Sequence, residues 1–350
     1  MRIPSLNGLR ALSILFVLVA HLSGTQNFIS SHTVELYGKF GVRVFFILSG
    51  YLITYLLLKE RDKTGSISLP NFYLRRAYRI IPASYVFMIV IIAANWKALS
   101  WPNIVTALTF SSSYYHRGNW ILGHLWSLSV QEQFYLLWPP TLLLFFRRRV
   151  PILIAIIACG PPVRILFWLL WGRPVLDHSF PVFADCLAMG CLLAILEPRW
   201  NTWHRVLTSR WFVIVPVVTV LMPLMQLYSS RTYQVAGLTL THAGIALSVA
   251  HAIQKEYWLL NWRPLAWMGG LSYSIYLWQQ PFLNRFATTP WTAFPLNVAL
   301  ALGCAVASQY IVQKPFMIWR DRSRPRYGQG KFQQATAAAQ ASQPAESRAA

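Results

Sequence analysis

The sequence predicts an all-α fold: a polytopic membrane helical bundle of about ten transmembrane helices with both termini in the cytoplasm. Of the 350 residues, 55% are hydrophobic and only 12% are charged, about half the roughly 25% that is usual in a soluble domain. Long apolar runs recur along the chain, and basic residues gather in every second connection between them. The low charge excludes a soluble fold, because its surface would lack solvated groups. The other two observations predict helices that cross a bilayer.

Ten apolar runs approach the length of about 20 helical residues that spans the hydrocarbon core. They lie near residues 7–24, 38–58, 79–96, 125–146, 150–171, 180–197, 211–229, 235–254, 265–285 and 292–314. The run 103–115 is too short to span, and we expect it to lie at the interface or to re-enter the membrane. We therefore expect one transmembrane domain over residues 1–320. Residues 321–350 are basic and then Ala/Gln-rich, which is typical of a disordered cytoplasmic tail.

Basic residues predict the orientation of the bundle. The formal net charge is +21, but its carriers are scattered between apolar runs, unlike the clustered footprint of a nucleic-acid-binding protein. Most of them lie in the even-numbered connections or after the last span, and positive residues favour the cytoplasmic side. The opposite side of the bundle has few basic residues: Lys97, Arg117, Arg173, Arg231 and Arg285.

The four cysteines form no CxxC pair, so no metal site is predicted.

Ionisable residues inside spans are candidates for function because a charge within lipid is costly. The first span contains Arg10 and His21, which eleven residues of helix separate by about 16 Å. Arg10 is therefore expected near the cytoplasmic face, and His21 in the outer half. Each also has an ordinary alternative: an arginine that anchors the topology, and a histidine that packs through hydrogen bonds.

A second polar cluster enters the fourth span from the outer side. His124, Ser127, Gln131 and Tyr135 recur at intervals of three and four residues, which places them on one helix face. Glu132 is one step, about 100°, further round the helix. A polar face on a membrane helix must point into protein or into a wet cavity. The crowding of histidine, amide and carboxyl groups favours a cavity over a hydrogen-bonded seam between helices.

Two more clusters lie at the third and ninth spans. Arg75, Arg76 and Arg79 precede the third span. Arg76 and Arg79 lie one turn apart and have the spacing to hold a phosphate group, although such runs also serve as topology anchors. The ninth span carries Ser, Tyr and Trp residues and ends in Gln279 and Gln280, where aromatic anchoring at the interface is the alternative. Together, the clusters suit a protein that takes a group from a cytoplasmic donor and uses it at the outer surface.

In this order and spacing, the clusters resemble the motifs of the acyltransferase 3 family of integral membrane acyltransferases over about residues 3–320. Singly these motifs are weak, whereas together they are specific. Five segments carry the resemblance. Arg10 with His21 is similar to the family's Arg-x10-His pattern, and residues 41–51 (GVRVFFILSGY) are similar to its second-span signature. Residues 72–82 (FYLRRAYRIIP) resemble its RxxR region, and residues 124–135 and 273–281 resemble its two later blocks.

The resemblance implies a ten-span enzyme of a bacterial inner membrane that moves an acyl group, usually acetyl from acetyl-CoA, to a hydroxyl of a cell-surface or exported glycan. Acetyl-CoA or another acyl-CoA would be a donor substrate rather than a bound cofactor, and the other partners would be the glycan or another hydroxyl-bearing acceptor, and membrane lipid. The resemblance makes His21 catalytic, with Arg10 as its partner, and assigns the CoA phosphates to Arg76 and Arg79, with Arg75 beside them. The side chains expected to bind the acceptor substrate are His124, Trp126, Ser127, Gln131, Glu132 and Gln279.

Two positions depart from the family pattern. A block that usually reads V-E-x-Q-F-Y has Gln131 after Val130, and a block that usually reads Y-L-W-H has Gln279 after Trp278. A glutamine is neither an acid nor a base at neutral pH, although it can orient a group by hydrogen bonding. These changes leave open a variant acceptor, compensating changes elsewhere in the site and a catalytically impaired family member.

The role of His21 has two readings. It is the only side chain of the first span that supplies a base near neutral pH, and it either deprotonates the acceptor hydroxyl or first accepts the acyl group itself. A small-molecule transporter needs as many spans, but it predicts inverted repeats, which the sequence does not contain. A non-catalytic membrane scaffold is the third alternative.

Overall fold

The computed structural model describes residues 3, 5–115, 119–172 and 178–322, and every regular element within these ranges is helical. The all-α prediction is thus confirmed for this part of the chain. Of the predicted tail, residues 321–350, the first two still belong to the last helix. Residues 323–350, and the predicted outer-side Arg117 and Arg173, lie outside the described residues. The ten helices with at least 17 residues are α1 (Leu6–Leu22), α2 (His32–Thr64), α3 (Leu69–Ala94), α4 (Leu125–Leu144), α5 (Phe146–Trp171), α6 (Phe180–Leu207), α7 (Arg210–Leu227), α8 (Ser230–Lys255), α9 (Arg263–Phe282) and α10 (Leu296–Arg322).

Seven of these helices are long and apolar enough to cross a membrane, namely α2, α3, α5, α6, α7, α8 and α10. The other three are α1, which has only 17 residues, and α4 and α9, which have 20 residues each. All three carry the polar clusters predicted for a site, and polar side chains lower the hydropathy of α4 and α9. A helical, multi-pass membrane protein is therefore confirmed, whereas the count of ten spans stays a prediction.

The connection 103–115 does not form a long helix. It contains most of a short helix, Trp101–Leu108, and a 3₁₀ turn, Ser112–Tyr114. The turn is held to α4, because Gln133 Nε2 donates to Ser113 Oγ at 3.0 Å and the Tyr114 hydroxyl donates to Gln133 Oε1 at 2.8 Å. A segment of this length is too short to span a bilayer.

The longest helix, α2, has clear ends. It begins after Ser31, whose side chain accepts a hydrogen bond from Val34 N, as an N-cap does. It ends at Gly65, whose φ of 78° suits a residue without a side chain. In its last turns, Glu60 Oε2 lies 2.7 Å from Arg75 Nη2, and this ion pair joins the end of α2 to the first turns of α3.

Glycines allow the central helices to cross closely. A Cβ atom added to Gly50 of α2 would lie 2.2 Å from the Leu187 carbonyl oxygen, and one added to Gly190 of α6 would lie 2.2 Å from the Ile47 carbonyl oxygen. Such backbone contact between membrane helices requires small residues. In the same way, the helix α1 packs between α2 and α9, with Gly269 of α9 against its first turn. This packing fixes α1 between α2 and α9.

Three helices share a polar cluster whose arginine, carboxylate and histidine side chains are fully buried. Arg164 Nη2 of α5 lies 2.5 Å from Asp185 Oδ2 of α6, and the Thr239 hydroxyl of α8 donates to the same oxygen at 3.1 Å. His242 Nδ1 lies 3.2 Å from the other carboxylate oxygen, Oδ1. Asp185 thus has the polar partners that an intramembrane carboxylate requires, and its charge is compensated by an arginine.

Candidate functional site

Helix α1 contributes to two neighbouring cavities. Arg10, near its start, lines a narrow cavity of about 90 Å³, which we call the arginine cavity. His21, near its end, lines a wider cavity of about 490 Å³, which we call the histidine cavity. Val42 of α2 and Tyr276 of α9 line both cavities, so the two spaces adjoin at these side chains.

Three guanidinium groups surround the arginine cavity. Arg10 of α1 faces Arg76 and Arg79 of α3, and none of the described residues in its wall carries a carboxylate. The guanidinium of Arg76 lies 4.7 Å from the centre of the Tyr135 ring, which holds it by a cation–π contact. A narrow space with three cations favours an anionic ligand, because arginine binds phosphate and carboxylate groups through paired hydrogen bonds.

One face of α4 lines both cavities. Ser127, Gln131 and Tyr135 contribute to the wall of the arginine cavity, whereas His124 contributes to that of the histidine cavity. This is the face that the spacing of three, four and four residues predicts. Gln131 donates to the Ser49 hydroxyl of α2, so it lies at the contact between two helices as well as in the wall.

The histidine cavity has an aromatic wall. Its rings include those of Trp120, Trp126 and His178, and its charged groups include the ion pair of Glu35 and Arg285. The Trp126 ring lies 5.1 Å from His178 and 5.3 Å from Phe183, so its position is fixed by packing. Aromatic rings with hydrogen-bonding groups between them suit a polar ligand that has apolar faces.

His21 is held from behind by the ninth helix. Its Nδ1 lies 2.8 Å from Gln279 Oε1, and its ring packs edge-to-face against Trp120 with 5.4 Å between the centres. Gln279 is fully buried and belongs to neither cavity wall among the described residues. The structure therefore places it beside His21 rather than at the surface that a substrate would touch.

The predicted residues divide between the two cavities, with three exceptions. Arg10, Arg76, Arg79, Ser127 and Gln131 line the arginine cavity, and His21, His124 and Trp126 line the histidine cavity. Arg75 lies outside both and pairs with Glu60. Glu132 also lies outside, and its Oε1 is buried with no hydrogen-bond partner among the described residues. Gln279 is the third exception.

Several wall residues were absent from the predicted site. Tyr273, Tyr276 and Gln280 of α9 recur at three and four residues and line the cavities, so the spacing that identified the face of α4 would also have found them. Trp120 comes from a short helix, Trp120–Gly123, and Arg285 from the connection after α9. Neither has a periodic pattern that marks it. The described residues contain no group of three or more His, Cys, Asp or Glu side chains that could hold a metal ion.

Comparisons with known proteins identify the family. A family model described as an acyltransferase domain matches residues 3–312. The peptidoglycan O-acetyltransferase OatA of Listeria monocytogenes is 30% identical over 324 residues, which cover 82% of this chain and 50% of that protein. The putative peptidoglycan O-acetyltransferase YrhL of Bacillus subtilis is 26% identical, over 93% of this chain and 56% of its own. The O-acetyltransferase OatA of Staphylococcus aureus is 27% identical, over 89% and 57%.

The chain spans about half the length of these curated relatives, and no solved structure matches it. The family match covers α1 to most of α10 and therefore includes both cavities. It also includes each segment that carries the sequence resemblance, from Arg10 to the end of α9. The protein is a multi-pass integral membrane protein, and it belongs to the acyltransferase 3 family.

Proposed function

We propose that this protein transfers an acetyl group from acetyl-CoA, bound from the cytoplasmic side of a bacterial inner membrane, to a hydroxyl group of a cell-surface glycan. One observation carries the proposal: α1 joins a cavity with three arginines to an adjoining cavity with a histidine. The first has the charge to bind a phosphorylated donor, and the second has a base for an acceptor. Transfer requires that the two substrates meet, and the shared wall at Val42 and Tyr276 is where the cavities adjoin.

The arginine cavity is the proposed donor side. The phosphates of acetyl-CoA carry the negative charge that Arg76 and Arg79 attract, and their planar guanidinium groups bind phosphate oxygens in pairs. Arg10 extends the positive wall onto α1. A cavity of about 90 Å³ suits the thin thioester arm of the donor better than its nucleotide, so we place the phosphates at the cavity mouth.

The histidine cavity is the proposed acceptor side. Its rings, Trp120 and Trp126 among them, offer flat apolar surfaces of the kind that suits a sugar ring, and its polar groups offer partners for sugar hydroxyls. Relatives from Listeria monocytogenes and Bacillus subtilis are named peptidoglycan O-acetyltransferases, the second putatively. Peptidoglycan is therefore the acceptor to test first.

We assign His21 the role of a general base in one of two routes. Its imidazole takes the proton of the acceptor hydroxyl while the hydroxyl oxygen bonds to the thioester carbonyl carbon. The carbon–sulfur bond then breaks, and the CoA thiolate receives the proton from the imidazolium, which gives an O-acetyl ester and free CoA. In the other route, His21 first accepts the acetyl group and passes it to the hydroxyl. Rapid mixing of the protein with acetyl-CoA and no acceptor separates the two, because only the second route releases one equivalent of free CoA per protein in a burst.

We also propose that ten helices span the membrane and that both termini face the cytoplasm, as the basic residues predict. The test uses a chain whose four natural cysteines are replaced by serine. A membrane-impermeant maleimide on intact cells should label Tyr228→Cys, between α7 and α8, and should leave Ser66→Cys, between α2 and α3, unlabelled until the membrane is opened. The reverse pattern would overturn this orientation.

The test of the activity is reconstitution in vesicles with labelled acetyl-CoA and peptidoglycan fragments. We expect the fragments to be O-acetylated by the unaltered protein and His21→Ala to lose at least a hundredfold in rate, the usual effect of removing a general base. The control is His204→Ala, which removes an exposed histidine that bonds Gln254. Uptake of label without acetylation would identify a transporter instead, and inserted protein that does neither would overturn the proposal.

A further inference from the structure

We propose that Gln279, Gln280 and the Trp120 backbone form a hydrogen-bonded relay that holds His21 in one tautomer, with its proton on Nδ1 and the lone pair on Nε2. Gln279 is thus a positioning residue, and its role in catalysis rests on the function proposed above. Three contacts make the relay. His21 Nδ1 lies 2.8 Å from Gln279 Oε1, Gln279 Nε2 donates to Gln280 Oε1 at 3.0 Å, and Gln280 Nε2 donates to the Trp120 carbonyl oxygen at 2.7 Å.

The direction of every bond follows from the last group in the relay. A backbone carbonyl oxygen only accepts hydrogen bonds, so Gln280 must present its NH₂ group to Trp120 and its oxygen to Gln279. Gln279 must then present its own NH₂ group to Gln280 and its oxygen to His21. An amide oxygen also only accepts, so the proton between Gln279 and His21 belongs to Nδ1. A neutral imidazole that carries its proton on Nδ1 has its lone pair on Nε2.

Burial makes the alternative direction costly. Gln279 is fully buried and lines neither cavity, so its amide cannot replace a lost partner with bulk water. If the amide of Gln279 turned over, its oxygen would face the oxygen of Gln280, and its NH₂ group would face His21. Two buried acceptors would then oppose each other without a proton, which the low dielectric of the interior makes unfavourable.

Trp120 fixes both ends of the relay. Its backbone oxygen terminates it, its indole Nε1 donates to the Gln280 backbone oxygen at 3.1 Å, and its ring packs against the imidazole of His21. The guanidinium of Arg285 lies 5.3 Å from the centre of the Trp120 ring and donates to the Ala20 carbonyl oxygen at 3.1 Å. The same tryptophan therefore sets the direction of the amides and limits the rotation of the ring that they orient.

The other ring nitrogen of His21, Nε2, is available to act on a substrate. In the described part of the chain, His21 Nε2 makes no hydrogen bond, and His21 lines the histidine cavity. In a Ser-His-Asp triad, the carboxylate behind the histidine both sets the tautomer and stabilises the imidazolium. The amide of Gln279 sets the tautomer, but it adds no negative charge to stabilise an imidazolium. The glutamine at a position where the family block usually has histidine is therefore compatible with an active enzyme.

The test combines kinetics with ¹⁵N NMR of histidine-labelled protein, in which His21 is assigned by its loss in His21→Ala. We expect the unaltered protein to show the Nδ1–H tautomer at His21. Q279L removes the acceptor, and we expect it to lose that tautomer and at least tenfold in kcat, with the acceptor KM within twofold. Q279E keeps an oxygen beside Nδ1 and, as the neutral acid that burial favours, a donor toward Gln280 Oε1, so we expect it to restore both the tautomer and most of kcat. The control Q234L alters a buried glutamine outside both cavities and should leave kcat and the His21 signal unchanged.

Q280L provides a second variant in case Q279L does not fold. It frees the Gln279 amide to turn over, so we expect a mixture of tautomers at His21 and an intermediate kcat. An Nε2–H tautomer in the unaltered protein would overturn the relay, and so would an unchanged kcat in folded Q279L or Q280L. Failure of the unaltered protein to transfer acetyl would instead overturn the proposed function, while the NMR measurement would still decide the tautomer.

Discussion

The hydroxyl groups of Ser127 and Tyr276 lie 2.5 Å apart and join α4 to α9 at the wall between the two cavities. The Tyr276 hydroxyl also lies 2.9 Å from the His124 carbonyl oxygen, to which it donates. One phenol thus bonds both to a side chain of the arginine cavity and to the backbone of a histidine that lines the other cavity. This contact ties the donor side of the proposed reaction to its acceptor side.

We expect Tyr276→Phe to lower kcat by up to about tenfold, because it removes the hydrogen bonds of the phenol to the Ser127 hydroxyl and the His124 carbonyl oxygen, and a typical hydrogen bond contributes about 0.5–1.5 kcal/mol. Steady-state kinetics of acetyl transfer measures the effect. Tyr273→Phe is the matched control, since its hydroxyl donates to the Ile80 carbonyl oxygen and its ring lines only the arginine cavity. Equal losses in the two variants would contradict a special role for the shared wall.

The arginines differ in what they are expected to bind. The double change Arg76→Gln/Arg79→Gln should raise the KM for acetyl-CoA at least about tenfold, because charge-assisted hydrogen bonds contribute about 1.5–3 kcal/mol each. Arg75→Gln should leave this KM within twofold, because Arg75 pairs with Glu60 outside the cavity. The measurement is initial rate against donor concentration. If the double change altered only the amount or orientation of inserted protein, these arginines would be topology anchors.

The aromatic wall should affect the acceptor and not the donor. We expect Trp126→Leu to raise the KM for peptidoglycan fragments about three- to tenfold, since an aromatic contact contributes about 0.5–1.5 kcal/mol beyond its buried area. The KM for acetyl-CoA should not change. Trp171→Leu is the control, because that side chain is 57% exposed on the outside of the bundle. A rise in the KM for acetyl-CoA alone would contradict the assignment of Trp126 to the acceptor side.

The buried ion pair should matter for stability rather than for transfer. Arg164→Met leaves Asp185 with a charge that His242 and Thr239 cannot neutralise, and we expect a loss of about 3–5 kcal/mol. Asp185→Leu should cost a similar amount, and the double variant should recover much of either loss. Thermal unfolding in detergent, arranged as a double-mutant cycle, measures the coupling. Additive losses would show that the two side chains do not depend on each other.

The sequence was sufficient where a pattern reflects helix geometry. The spacing of His124, Ser127, Gln131 and Tyr135 predicted the face of α4 that lines the cavities. The step of eleven positions from Arg10 to His21 predicted two separate environments on one helix, and the structure places these two side chains in two cavities. Both predictions depend only on helical rise and rotation, which are the same in every helix.

Other contacts depend on packing between distant parts of the chain. Trp120 reaches His21 from a short helix, and Arg285 reaches Glu35 across 250 residues, so no local period marks either contact. The pairing of Asp185 with Arg164 required the crossing of α5 and α6 to be known. For Gln279, the sequence shows only the residue type. The direction of its amide is set by Gln280 and by the backbone of Trp120, which belong to two different elements.

The crossing of α2 and α6 limits which genetic changes can be compensated. At Gly50 and at Gly190, the atom that a new methyl group would strike is a carbonyl oxygen of the opposite helix, which is present whatever residue stands there. A smaller neighbouring side chain therefore makes no room. In a library that pairs random changes, alanine at either glycine should have no intragenic suppressor among the residues it faces, whereas the loss of Arg164 should have one at Asp185.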